Sequence, residues 1–199
     1  MSVLVYVENA EGKFKKSTFE VVSYAAAIAN QLNTGLTAIS IGDVKQEDLS
    51  NLGKYGASKV LNVSGDKLKS FVNQAYASII AEAAQKEQAD VVVLSNSFSG
   101  KGLAPRIAVK LKAGLADAAV ELPETDNNKF IIKRTAFSGK AFANVELNSQ
   151  VKVIALNPNA YQVNESGSAA KVEDFQANVK DSDFGTMITE IVRASNKIA

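Results

Sequence analysis

The residues with the most chemical potential lie in one stretch, Ser95 to Arg106, which reads SNSFSGKGLAPR. Ser97, Gly100, Lys101 and Gly102 could cradle a phosphate through backbone N–H groups at a helix start, with Arg106 as a nearby cation. The spacing SxSGKGLAP is neither a Walker loop nor a dinucleotide fingerprint, so a turn and an interface is the stronger reading. Ser99 with Lys101, and Ser138 with Lys140, are formal Ser/Lys nucleophile pairs. An exposed lysine is protonated and cannot serve as a base without burial, so both pairs read as solvated loop residues. Arg106 and Arg134 stand out as cations. Arg106 is expected in the first turn of its helix, where its charge opposes the dipole and calls for a carboxylate, either on a partner or within the domain.

The chain contains no cysteine and no histidine. That removes thiolate nucleophiles, disulfides, iron–sulfur ligation, the common zinc sites and the usual side chain for acid–base work near neutral pH, so no metal site is expected. Chemistry would have to come from carboxylates or a bound cofactor. The 22 basic and 21 acidic residues give a net charge of +1, which offers no field for nucleic acid or an anionic membrane. No apolar run approaches a bilayer span, and the N-terminus enters a strand with no basic region or cleavage pattern. The expectation is a cytoplasmic protein with neither membrane nor nucleic-acid partner.

The elements that must position these residues follow from periodicity. Val3 to Val7, VLVYV, is apolar throughout and fits a strand covered on both faces. Ser17 to Glu20, STFE, has the spacing of a capping box, and Val22, Ala25, Ala26, Ala29 and Leu32 form one helical stripe behind it. Leu36 to Ile41 and Lys59 to Val63 are the next strands, separated by a short helix near Glu47 to Lys54. Leu68, Phe71, Val72, Ala75, Tyr76, Ile79, Ile80 and Ala83 mark the clearest helix, and Asp90 begins a buried strand, Val91 to Leu94, that feeds the serine- and glycine-rich loop. Pro105 then suits a first helical turn. Tyr6, Tyr24, Tyr55 and Tyr76 fall at packing positions rather than forming a stack for a planar ligand.

Alternating β and α elements predict an α/β fold: a doubly wound, mostly parallel, Rossmann-like sheet. After Gly114 the pattern changes. Ala116 to Leu122 reads as a weak strand, and Lys129 to Phe137 with Ala141 to Leu147 reads as an antiparallel hairpin extending one edge, with Val151 to Leu156 closing the set. Asn164 to Lys171 reads as a linker. Thr186 to Ala194 is compatible with a strand or a short helix.

The order of VLVYVE, GASKVLNV at 56 to 63, DVVVLSNSFSGKGLAPRIAVKLKAGLADAAVEL at 90 to 122 and KRTAFSGKAFANVEL at 133 to 147 resembles the N-terminal domain of the electron transfer flavoprotein alpha subunit. The resemblance covers residues 1 to about 160 strongly and 161 to 199, a linker and tail, loosely. It implies an adenine nucleotide alpha hydrolase-like fold that pairs with an electron transfer flavoprotein beta subunit. The heterodimer would hold FAD, accept electrons from dehydrogenases such as those acting on acyl-CoA in fatty acid β-oxidation, and pass them to a quinone-reducing acceptor. It further implies that most of the FAD is bound by a C-terminal domain opened by a GRG motif. This chain has no GRG, so the expectation is an electron carrier's scaffold and docking half, not an enzyme, with the main FAD site outside it. The alternative is a nucleotide-binding module resembling universal stress proteins, with ATP held by the loops after the first and fourth strands.

Overall fold

A computed structural model describes residues 2–126, 129–165, 167–186 and 188–190. Its frame is a nine-stranded sheet. Seven strands are parallel: β1 (Val3–Val7), β4 (Leu36–Ile41), β5 (Lys59–Val63), β6 (Val91–Ser95), β7 (Gly114–Ala119), β10 (Lys152–Leu156) and β11 (Lys171–Asp174). The hairpin strand β8 (Ile131–Ala136) pairs antiparallel with β7, and β9 (Ala141–Glu146) antiparallel with β8, giving the order β11-β5-β4-β1-β6-β10-β7-β8-β9. A separate two-stranded ribbon, β2 (Asn9–Ala10) and β3 (Lys13–Phe14), follows the first strand. The expected Rossmann-like sheet with a hairpin at one edge is what forms.

Strand period explains why the central strands are apolar at every position. Val3, Val5 and Val7 point into the core under helix α1 (Lys16–Gln31) and the short α2 (Gln46–Asn51), while Leu4 and Tyr6 point into the opposite core. That second core is covered by α3 (Asn73–Lys86) and α4 (Phe98–Leu111). With helices on both faces no polar side remains, so all five residues of β1 are buried.

Strand β10, the last strand read from the sequence, takes an interior position between β6 and β7. Val153 to Leu156 are buried on both faces, which only a flanked strand can satisfy. The half-polar β9, alternately half-buried and exposed, is left for the edge.

Three local expectations are corrected. Helix α1 starts at Lys16 without a side-chain cap, so Ser17 lies within its first turn and Glu20 makes no capping box. Glu20 is 4% exposed and instead accepts hydrogen bonds from the backbone N–H of Asn159 (3.0 Å) and Tyr161 (2.9 Å), where the chain crosses α1 after β10. Pro105 lies inside α4, seven residues after its first, because that helix begins at Phe98. The stretch 164–171, read as a linker, is bonded to the domain: Gly167 N donates to Lys54 O, Ala170 N to Ser50 O and Lys171 N to Ser58 O. It then pairs as β11 with β5, and Gly53 allows the crossing, since a Cβ there would stand 2.1 Å from Ser168 O. Sequence periodicity misses this segment because backbone bonds, not an apolar stripe, hold it. The Thr186 to Ala194 stretch falls largely outside the described residues; Thr186 and 188–190 adopt no regular structure.

Candidate functional site

In open parallel sheets, ligand crevices form beyond the carboxyl ends of strands where the winding direction reverses. Here the chain leaves β1 toward β4 on one side, while β6 lies on the other, so the reversal falls between β1 and β6. Two clefts open along this edge, separated by the start of α4.

The first, about 470 Å³, lies over β1 and β4 and is lined by Glu8, Asn9, Gly42, Asp43, Lys69 and Tyr76 among others. Glu8 is the first residue after β1 and reaches across the reversal point to accept a hydrogen bond from Ser97 Oγ at 2.5 Å. Ser97 is the N-cap of α4, and its Oγ in turn accepts from Gly100 N at 2.9 Å. The hydroxyl thus bonds a carboxylate on one side and a helix N–H on the other. Burial pushes the Glu8 carboxyl above its usual range, opposed by the Ser97 bond and by Lys15. Tyr76, whose hydroxyl donates to Leu68 O, is pushed up by burial to about 12.

The raised carboxyl sets a pH dependence. The folded state holds the Glu8 proton more tightly than the unfolded chain does, so this group favours folding most below its unfolded pKa. That contribution is lost as pH rises through the higher folded value. Stability is therefore expected to gain from Glu8 as pH falls from neutral into the carboxylate range. In Glu8→Gln this gain should vanish, with neutral-pH stability within about 1 kcal/mol of the parent. Urea midpoints measured from pH 7 to pH 4 for both chains would check this; parallel profiles would refute it.

The second cleft, about 670 Å³, lies over β6, β10 and β7 and is walled by the hairpin turn Phe137–Gly139. On its floor Asn96 Nδ2 donates to Asn157 Oδ1 at 2.7 Å, and Asn157 Nδ2 donates to Thr135 Oγ1 at 3.1 Å. A β-bulge in β7 puts Asp117 and Ala118 opposite the single residue Ala155, with Ala118 at φ 53°. The bulge turns Asp117 toward Arg134, whose Nε donates to Asp117 O at 3.0 Å and whose Nη2 pairs with the Asp117 carboxylate. The within-domain partner foreseen for a singled-out arginine is thus present for Arg134.

The five loop candidates do not converge on one ligand. Ser97 and Gly100 are bonded to each other. Gly100 and Gly102 serve close packing: a Cβ would stand 1.8 Å from Ser95 O at the first and 2.7 Å from Asn73 Oδ1 at the second. Lys101 faces the second cleft. Arg106 lies in the third turn of α4, not the first, and its guanidinium folds back to Gly102 O at 2.7 Å. The loop shrinks to Asn96 and Ser97, because Gly100 to Gly102 are helical. As a seat for the pyrophosphate of a flavin or adenine nucleotide it fits poorly: the Gly100 N–H is engaged, and the carboxylate of Glu8 faces the helix start.

Glu8, Asn96, Asp117 and Asn157 escaped the sequence reading. Glu8 and Asn96 could have been found, as polar residues at the carboxyl ends of buried strands. Nothing in sequence signals the bulge that aims Asp117.

These features define a doubly wound α/β domain with two clefts on its carboxyl edge and no acid–base or nucleophilic constellation among the described residues. The chain belongs to the electron transfer flavoprotein family, whose electron transfer flavoprotein domain matches residues 3–180. It is 27% identical to protein FixB of Clostridium saccharobutylicum, over 98% of this chain and 59% of that protein. It is 28% identical to the electron transfer flavoprotein subunit alpha of Bacillus subtilis, over 96% of this chain and 58% of that one. The chain thus spans about three-fifths of the length of the curated relatives it matches. Among solved structures, a universal stress protein from Archaeoglobus fulgidus covers 55% of this chain and 87% of its own, at 17% identity and a TM-score of 0.38. A likeness of that size decides nothing about function. No helix among the described residues is long and apolar enough to cross a membrane.

Proposed function

We propose that this chain acts as the N-terminal scaffold and docking domain of an electron transfer flavoprotein alpha subunit. It pairs with a beta-type subunit, and the pair holds FAD and carries electrons from dehydrogenases to a quinone-reducing acceptor. Flavin redox chemistry belongs to the cofactor, so this domain's work is shape and orientation. The observation that carries the reading is the family match across residues 3–180, which includes β11 and the stretch that ties it to the sheet. The poor fit of the α4 start to a pyrophosphate agrees with a main flavin site outside this chain.

The test is to purify the chain, record its visible spectrum, and titrate it with a beta-type subunit by calorimetry. The expected results are a colourless protein and saturable 1:1 association. Stoichiometric flavin retained by the lone chain, or no association with the beta-type subunit, would overturn the reading. Saturable ATP binding that is lost when Gly100 or Gly102 is replaced by a bulky residue would favour the nucleotide-binding module instead.

A further inference from the structure

The first cleft holds polar groups that neither the fold nor the proposed electron-carrier role uses. Tyr6, in β1, is 3% exposed and lines this cleft, yet its hydroxyl makes no hydrogen bond among the described residues. Tyr24 and Tyr76, buried like it, donate to Glu121 O and Leu68 O. A buried tyrosine hydroxyl ordinarily finds such a partner, and leaving it without one costs stability. Burial and the electrostatic reach of Glu8 push the Tyr6 hydroxyl well above its usual range, so it stays neutral and can both donate and accept. Glu8 itself is half engaged: Oε1 accepts from Ser97 Oγ, while Oε2 has no partner among the described residues.

Charge indicates what these groups would meet. Glu8, Glu11, Asp43 and Lys69 are the charged residues of the lining. Lys69 Nζ is held by Asp66 at 2.7 Å, whereas neither Glu8 nor Asp43 forms an ion pair among the described residues, and Lys15 acts on Glu8 only through space. The backbone donors of the lining glycines are engaged: Gly12 N donates to Asn9 Oδ1 at 3.3 Å and Gly42 N to Val63 O at 2.8 Å. An anion entering here would find negative charge in place of a ring of free N–H groups. Beside the carboxylates, Tyr6, Phe71 and Tyr76 form an edge-to-face cluster, with ring centroids 6.4 Å apart for Tyr6 and Tyr76 and 4.9 Å for Phe71 and Tyr76. Aromatic rings next to an unpaired carboxylate, in a cleft of about 470 Å³, suit a cation that carries an apolar body.

We infer that the first cleft binds a small organic ammonium ion, whose N–H groups donate to Glu8 Oε2 and to the Tyr6 hydroxyl while its carbon body lies against Phe71 and Tyr76. Asp43 adds to the attraction from the rim. The ligand supplies the partner that the Tyr6 hydroxyl lacks and leaves the Ser97 bond to Glu8 Oε1 in place. Hydrogen bonds from an ammonium to a carboxylate are the stronger kind, and partial burial of Glu8 reduces their screening by water. This site stands apart from the docking role and does not depend on it.

The test is calorimetric titration of the chain with phenethylammonium chloride, alongside phenethyl alcohol and hydrocinnamate, which keep the ring but carry no charge or the opposite one. Saturable binding of the ammonium ion is expected, with each of the other two at least tenfold weaker. Glu8→Gln keeps an acceptor for Ser97 but removes the charge, and should weaken the ammonium ion at least tenfold. Tyr6→Phe removes only the hydroxyl, so affinity should fall about threefold to tenfold. Its melting temperature should equal or exceed the parent's, because no bond of the folded chain is lost, and this separates lost binding from lost folding. The control Glu146→Gln, which alters an exposed carboxylate on β9 at the far edge of the sheet, should leave binding unchanged. No saturable binding of the ammonium ion by the parent chain would overturn the inference. So would equal affinity for the alcohol, which would make the cleft merely apolar, or tighter binding of hydrocinnamate, which would make it an anion site. An equal loss in Glu146→Gln would reduce the effect to diffuse attraction and overturn it too.

Discussion

Gly100→Ala is expected to destabilise the domain by about 3 kcal/mol, although alanine is the better helix former by about 1 kcal/mol. Two effects compete at this position. Helix propensity favours the substitution, because Gly100 lies in the first turn of α4 and pays backbone entropy there. Packing opposes it, because the added methyl would stand 1.8 Å from Ser95 O and 3.0 Å from Ser95 C, backbone atoms at the end of a buried strand. Neither side can rotate away. Relief requires α4 to lift from the sheet by an ångström or more, which would break the chain of bonds from Glu8 through Ser97 to Gly100. Sterics should therefore win, with a fall in melting temperature of roughly 6–12 °C for a chain of this size. Urea denaturation at an unchanged m-value would measure it. A stability gain near 1 kcal/mol would mean that α4 is free to shift and that the Ser95 contact is not restrictive.

Glu20→Ala is the second large loss, expected at about 2–3 kcal/mol. The Glu20 carboxylate is the shared acceptor for two backbone N–H groups, those of Asn159 and Tyr161, and Glu20 is a buried residue of α1. Truncation would deprive both part-buried donors of their acceptor, and a donor left unsatisfied costs about 1–3 kcal/mol where water does not replace the carboxylate. The loss should be local. Tyr161 packs edge-on against Tyr24 at 5.4 Å, and Asn164 N donates to Ser23 Oγ at 3.1 Å, so the segment is tied down at further points. Hydrogen exchange should accelerate at Asn159 and Tyr161 while Asn164 and the β1–β4 pairing keep their protection. Uniform acceleration across the sheet would show that Glu20 supports the whole core, contrary to this account.

Both predictions concern contacts that one-dimensional patterns cannot express. Gly100 and Glu20 looked like a phosphate loop and a helix cap because their neighbours in sequence suit those roles. Their real partners are Ser95 across a helix–strand junction and Asn159, which lies 139 residues away. The same holds for Pro105 and Arg106, whose expected first-turn positions depended on where α4 begins. That start is set by Ser97, which bonds both Glu8 and Gly100 and so begins the helix seven residues before the proline.

What the amino-acid order determined alone was the layered α/β class and its hairpin edge. Val3 to Val7 and Val91 to Leu94 are apolar at every position, and the helices between strands repeat at three and four, so each element declares how many of its faces must be covered. Composition likewise ruled out cysteine and histidine chemistry. What tertiary structure decided was neighbourhood: β10 inserted between β6 and β7, the crossing tail seated as β11, and the bulge that turns Asp117 onto Arg134. Burial need is a property of each segment and can be read locally. Which surface meets that need depends on the competition of all segments for the same sheet, and no single stretch carries that information.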